Sequence, residues 1–442
     1  MQHDPRYDGR MAVSAARLFD GGRVLTDRAV VVENGVVSAV IPRESLPDGL
    51  SIRHEPDCTI IPGLIDAHVH FMRWQGPLFL AHGVTTVRDV GNDPAWILAR
   101  RREWPDNLWP RILCVGPLLD GPAPIHPFVA RCCSDSADAV AAVRETIAAG
   151  FDGIKLYVGL KTDWLPAMAR ESHAAGLKVS MHCQKDGVLR PGRAGVDEFF
   201  HLDGILADIW PAHPPGWLNV WGLPELAQTW DRQREVADSI RGLGMTATPT
   251  LTYWDSQWRV RTADHRRSDD MRRVPPAMIE WQASEAPDPA ASEQWKQALH
   301  AAQRFVGLLQ ERGVPLLAGT DVPCGAVPPG LSLWRELALL VEAGLSPTQA
   351  LRAATSGAAA FLGHTRLGRL SPGSAADLVL VRGNPLERFP EQPDVAGVMR
   401  QGTFYRPAEL LAAAETAAST LKEEPWGRQF ALHRARSAGR TG

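Results

Sequence analysis

Ile61-Pro62-Gly63-Leu64-Ile65-Asp66-Ala67-His68-Val69-His70 is the stretch from which the fold can be read. It is an apolar, strand-like run that ends in two histidines spaced i, i+2. On a strand that spacing places both imidazoles on the same side. Neutral imidazole is a common ligand for first-row divalent metals, so a pair at a strand end suggests half of a catalytic metal site. The remainder of the chain must supply the other half.

Downstream, short apolar runs alternate with helical patterns, the signal for βα units and a parallel sheet. Candidate strands end at His70, near Asp89, near Gly116, at Lys155, His182, His201, Leu251 and Asp321. Eight such strands fit a TIM-like (β/α)8 barrel of the α/β class. Two of the helices carry clear end signals. Val140, Val143 and Ile147 recur at helical spacing before Gly150, which sits where a C-cap belongs. Ser346-Pro347-Thr348-Gln349 combines an N-cap serine, a proline at N1 and a capping-box glutamine at N3.

Upstream, residues from about Met11 to Ile61 read as short strands separated by turns, among them Arg17–Asp20, Ala29–Val32 and Val36–Val40. Similar vocabulary returns in Leu367-Gly368-Arg369-Leu370-Ser371-Pro372-Gly373-Ser374-Ala375-Ala376-Asp377, which leads into Leu378-Val379-Leu380-Val381. The two ends of the chain are therefore expected to pair. Residues 202–231 carry Trp210, Trp217, Trp221 and Trp230 among prolines and glycines, and form either a lid or an irregular connection packed on the rim. Residues from about Lys422 onward, with Arg428, His433, Arg434, Arg436 and Arg440, read as a solvated tail without chemistry.

Composition narrows the class of function. The chain has 442 residues with 45% hydrophobic content, enough for a large barrel and a second domain. A formal net charge of −3 gives no electrostatic reason to expect nucleic acid or an anionic membrane as partner, which leaves a small molecule. Six scattered cysteines without a CxxC pair fit reduced thiols. The polar start Met1-Gln2-His3-Asp4-Pro5-Arg6 lacks the apolar core of a signal peptide, and no apolar stretch is long enough for a membrane helix. A cytoplasmic protein is expected, and nothing in its helices demands or excludes a homo-oligomer.

In a parallel barrel the active site forms at the C-terminal strand ends, so residues distant in sequence converge there. Read that way, the polar strand-end residues are His68, His70, Lys155, His182, His201 and Asp321. Each alone is weak evidence; the ordered set is far more specific.

The set resembles the metal-dependent amidohydrolase superfamily, in its imidazolonepropionase-like and prolidase-like branch. The resemblance rests on PGLIDAHVH (62–70), GVTTVRDVG (83–91), GIKLY (153–157), His182, His201, GTD (319–321) and LGRLSPGSAADLVLV (367–381). It implies a barrel over residues 62–365, a small β-sandwich with a C-terminal helix composed of residues 1–61 and 366–420, and a polar basic tail over 421–442. It also implies two divalent ions, most often Zn2+, with Mn2+, Co2+, Ni2+ or Fe2+ acceptable to the same donors. His68, His70 and Asp321 would hold the inner ion and His182 and His201 the outer one. Lys155 cannot ligate as an ammonium; in this family such a lysine takes up CO2 as a carbamate that bridges both ions.

The implied chemistry is attack of a metal-bridging hydroxide on a small amide, N-acyl amino acid, dipeptide or cyclic amide, with Asp321 as general base and acid. Lactones and phosphotriesters are alternative substrates of the same centre, and a non-catalytic scaffold is the third reading. Related deaminases typically carry a glutamate three residues after the strand-5 histidine, whereas this chain has Lys185 there, which favours acyl hydrolysis. His126 would face the substrate, and Tyr157, Tyr253 and Trp254 would line the pocket. Arg88 and Asp89 resemble a family pair expected to support strand 2 through a salt bridge.

Overall fold

The computed structural model describes residues 9–211, 221–260, 262–268, 271–285, 291–390, 392–417 and 423–438. Its strands form three sheets. One is an eight-stranded sheet drawn from both parts of the chain that the sequence pairs. Ser51–Pro62 runs parallel to Arg10–Phe19 on one side and antiparallel to Leu378–Arg382 on the other. Val30, Val32, Ile60, Leu378 and Leu380 bury one face, as alternation along β-branched strands requires. The strands pair edge to edge in one continuous order, a sheet drawn from both parts of the chain.

The other two sheets are entirely parallel. Leu64–Val69, Val84–Asp89 and Arg111–Cys114 form one, in that order. Ala130–Cys132, Leu118–Asp120, Ile154–Leu156, Val179–His182, Glu198–Phe200 and Thr246–Thr248 form the other. Residues 316–322 bridge the two, since Leu316 pairs in parallel with Ala247 and Val322 with Val69. At the opposite side Asp152 N donates to the Cys114 carbonyl at 2.8 Å. With helices between these strands, the architecture is mixed α/β. The expected strand end at Leu251 is corrected: the strand stops at Thr248, Thr250 turns with φ of 50°, and Leu251 opens the helix Leu251–Arg259.

Side chains from several parallel strands meet in a shared interior. Arg88 is bound in two places by Glu198, at 2.7 and 2.6 Å, and donates to the Ala67 carbonyl at 2.6 Å. Ser180 and Thr248 each donate to the same carboxylate at 2.5 Å. The salt-bridge partner of Arg88 is thus Glu198, which corrects the Arg88–Asp89 pairing read from sequence. Neighbours along a strand point to opposite faces, so Asp89 turns away and accepts from Phe71 N, Gly91 N and Asn92 Nδ2.

Local signals hold where they are strongest. Ser136–Ala148 is a helix capped by the Asp135 carboxylate, and Gly150 follows it with φ of 78°. Ser346 and Gln349 form the capping box that opens Pro347–Ala353. Within the tryptophan-rich stretch, Trp221 is buried against Trp254 and Phe305, while Trp210 and Trp230 pack on the same core; Trp217 lies outside the described residues.

The segment expected to be a solvated tail departs most from its composition. Pro425–Ala438 is a helix, and its Trp426 and Phe430 are buried. Among the described residues no helix is long and apolar enough to cross a membrane.

Candidate metal centre

His68 and His70 close the strand Leu64–Val69, and Asp321 lies at the end of 316–322, which bridges to the same strand. The backbone seats the aspartate firmly: Asp321 N donates to the His68 carbonyl at 2.8 Å and His70 N to the Val322 carbonyl at 2.7 Å. Gly319 permits this approach, because a β-carbon there would stand 2.6 Å from His68 Cβ. Asp321 Oδ1 is 3.2 Å from His68 Nε2 and 3.4 Å from His70 Nε2. One ligand atom from each of the three buried residues lies within 4.8 Å of the others.

The donor chemistry suits a cation. The Gly91 carbonyl can only accept, so His70 Nδ1, 3.1 Å away, carries a proton, and Nε2 is the nitrogen turned to Asp321. An ion bound here would replace the imidazole protons that otherwise bridge to Asp321, and would be met by two nitrogens and a carboxylate oxygen. Burial holds His68 well below the ordinary imidazole range, outweighing the Asp321 carboxylate, so its nitrogens stay neutral. Burial raises the Asp321 carboxyl, but hydrogen bonds from His68 and His70 and the nearby His201 outweigh that and hold it well below the usual range.

The second pair of histidines adjoins the first. His201 stands 4.8 Å from His68 and 4.5 Å from His182, measured between ring centroids. Its backbone has φ of 61° and Asp321 has φ of 60°, a left-handed conformation that turns both side chains out of the strand direction. His201 Nδ1 meets Thr250 Oγ1 at 2.6 Å, and burial, aided by the His182 charge, lowers its pKa to about 3. His182 Nε2 is 2.9 Å from Asp203 Oδ2. Burial pushes the Asp203 carboxyl up, yet the charge and hydrogen bond of His182 prevail and keep it below its usual value.

Lys155 projects from Ile154–Leu156 with 1% of its surface exposed. Its Nζ lies 3.8 Å from the Phe200 ring centroid and 5.8 Å from that of Tyr157, without an ion pair among the described residues. Burial lowers its pKa to about 7 against the opposing pull of Asp321 and Glu198.

Beyond the ligands, His126 Nε2 and the Tyr157 hydroxyl are 3.1 Å apart, and the Tyr157 ring is 5.2 Å from His182. Tyr253 is partly buried and flanks Gly325, in the turn that follows Asp321. Trp254 is corrected from pocket lining to core: it is fully buried, edge-on to Trp221 at 5.8 Å and Trp295 at 6.5 Å.

Two participants were not read from sequence. Asp203 follows His201 at i+2, the spacing already used for His68 and His70, and that signal was available. Trp426 had none: its ring lies 4.2 Å from His70, delivered by a helix without a metal-site motif.

Comparison with known proteins bears on this geometry. The Amidohydrolase family model matches residues 294–406, and the NagA composite domain matches residues 11–54. No curated protein matches the sequence. Among solved structures, a bottromycin amidohydrolase is 28% identical with a TM-score of 0.71, over 95% of this chain and 92% of that one. A Bifidobacterium longum protein assigned as a prolidase is 25% identical with a TM-score of 0.68, over 92% and 98%. A Xaa-Pro dipeptidase with bound methionine shares the fold at 20% identity and a TM-score of 0.68, over 90% and 100%. The family generally uses divalent metals, which the His68, His70 and Asp321 cluster fits. The two family-model matches and the fold shared with these structures make the chain similar to the prolidase-like branch of the amidohydrolases, and support an enzyme that hydrolyses carbon–nitrogen bonds.

Proposed function

We propose that the chain is a binuclear metallohydrolase that cleaves the amide bond of a small N-acyl amino acid, dipeptide or cyclic amide. The observation that carries this is the convergence of His68, His70, Asp321, His182 and His201 beside a buried Lys155 that forms no ion pair among the described residues. We extend the proposal to the architecture: the parallel strands close as a (β/α)8 barrel over 62–365, with 1–61 and 366–420 as a composite second domain.

His68, His70 and Asp321 would hold one ion and His182 and His201 the other, with zinc the first choice. Such ions would acidify water to near neutrality and withdraw electrons from a substrate carbonyl. A neutral Lys155 amine would attack CO2 through its lone pair, one C–O π bond opening as the nitrogen–carbon bond forms and one proton leaving, and the carbamate would then supply a singly charged carboxylate as a further oxygen ligand. Asp321 takes the proton of the attacking water and returns it to the leaving amine, a task for which its ionised state and position among the histidines suit it. The His126–Tyr157 pair orients the substrate carbonyl, and Tyr253 lines the approach. Lys185, where deaminases carry glutamate, favours acyl hydrolysis over ring deamination.

The test combines metal analysis with a panel of N-acyl amino acids, dipeptides, cyclic amides, lactones and phosphotriesters. Close to two metal ions per chain and turnover confined to amides are expected. Asp321→Asn is expected to lower turnover by orders of magnitude while much of the metal stays bound. Preference for lactones or phosphotriesters would replace the amide assignment, and less than one ion per chain without turnover after metal addition would leave a scaffold.

A further inference from the structure

Residues 423–430 reach the metal centre from a distant part of the chain, and three contacts seat them. Arg73, just beyond His70, holds the fully buried Glu424 through its backbone N at 3.0 Å and its Nε at 3.1 Å. Trp426, 2% exposed, sets its ring 4.2 Å from His70 and 5.2 Å from His126. Its Nε1 donates at 2.8 Å to the Gly91 carbonyl, the same oxygen that accepts from His70 Nδ1 at 3.1 Å. A carbonyl oxygen has two lone pairs, so indole and imidazole are fixed by one atom. The indole belongs to a buried apolar cluster that also holds Met72, Leu118, Tyr157, Met278 and Phe430, the last with its ring 5.8 Å away.

We infer that Trp426 is a positioning residue of the metal centre: its ring packs tilted against His70 and its Nε1 holds the Gly91 carbonyl that accepts from His70 Nδ1, so it sets the plane in which Nε2 faces the ion. The inference rests on the metal role proposed for His70. Groups that orient a metal-bound imidazole typically change metal affinity about 10- to 100-fold. Trp426 acts on the ring from two directions, through the ring contact and through the shared acceptor, so its removal loosens both the imidazole plane and the carbonyl that holds it.

The experiment is a Co2+ titration of the full-length, metal-free protein, read by visible absorption of the bound ion and by equilibrium dialysis. Trp426→Ala is expected to raise the Co2+ Kd about 10-fold or more and to alter the absorption bands. Trp426→Phe keeps an aromatic ring against His70 and loses the N–H, so a smaller rise is expected. Leu410→Ala serves as a stability control, because Leu410 is buried against Leu80, Ala81 and Tyr405 in a separate cluster. It is expected to lower Tm and leave the Co2+ Kd and bands unchanged. An unchanged Kd and spectrum in Trp426→Ala overturns the inference while the metal reading stands. An equal loss of affinity in Leu410→Ala also overturns it, since the effect would then be general destabilisation. Failure of the unaltered chain to bind Co2+ overturns the metal reading and the inference with it.

Discussion

Lys155 is held against the hydration preference of an ammonium, with 1% of its surface exposed and aromatic rings as its neighbours. Its pKa falls from 10.5 to about 7 through burial, so between those values the unfolded chain carries a proton that the folded one lacks. Stability of the metal-free protein therefore rises with pH across that window and bears the full penalty below about 7. Lys155→Met is expected to stabilise the metal-free protein by a few kcal/mol, on the order of 3, at pH 6, with a gain that shrinks toward pH 10. The same substitution should deplete metal and abolish turnover, the usual exchange of function for stability. Urea unfolding in chelator at several pH values checks this; an equal gain at pH 6 and pH 10 would show that the amine is not depressed. At this scale His68, His70, Lys155, His182, His201 and Asp321 were legible because each terminates an apolar run, and in a parallel barrel such ends converge. Trp426 was not legible, because docking of a basic, locally unremarked helix depends on the surface that receives it.

Elements are joined by side chains whose partners no local pattern reveals. Arg88 and Glu198 are 110 residues apart, yet both are buried and doubly bonded. Periodicity excludes Asp89 as the partner, although it cannot nominate Glu198. Arg88→Met strands the Glu198 carboxylate in the interior and is expected to cost about 3 to 5 kcal/mol in urea unfolding. Adding Glu198→Met should recover much of that loss, tempered by the hydroxyls of Ser180 and Thr248 that lose their acceptor. Additive losses in the double variant would show that the two side chains are not coupled. The capping box at Ser346 and most of the strand ends were readable because each is written within a few residues. The strand expected to end at Leu251 was overrun because Thr250 turns the chain two residues past Thr248, a backbone choice without a glycine to announce it.

Across the whole molecule, the eight-stranded sheet ties the beginning of the described chain to its later third. Thr59 Oγ1 donates to the Gly383 carbonyl 324 positions away, and Leu380 pairs with Ile60. The strand Ser51–Pro62 runs on almost directly into Leu64–Val69, which carries the metal histidines, so sheet and centre share a continuous stretch of backbone. Leu380→Ala, at a fully buried position, is expected to cost about 2 to 5 kcal/mol. Loss of bound Co2+ colour and loss of circular dichroism should shift together to lower urea; metal release that stays at its original midpoint would show that the sheet unfolds independently. The pairing of the chain's two ends was foreseeable from their shared strand-and-turn vocabulary, whereas the order of the strands depends on register that alternation leaves open.

The shared Gly91 carbonyl has a consequence for biosynthesis. Residues 68 and 70 emerge from the ribosome early, but the indole that braces them belongs to position 426, and the strand that anchors their backbone awaits partners near 380. A nascent chain can bury much of its parallel sheet during translation and still lack a finished centre. Hydrolytic competence should therefore switch on late, once position 426 has been made and docked, which spares the earlier nascent intermediate any premature capture of metal.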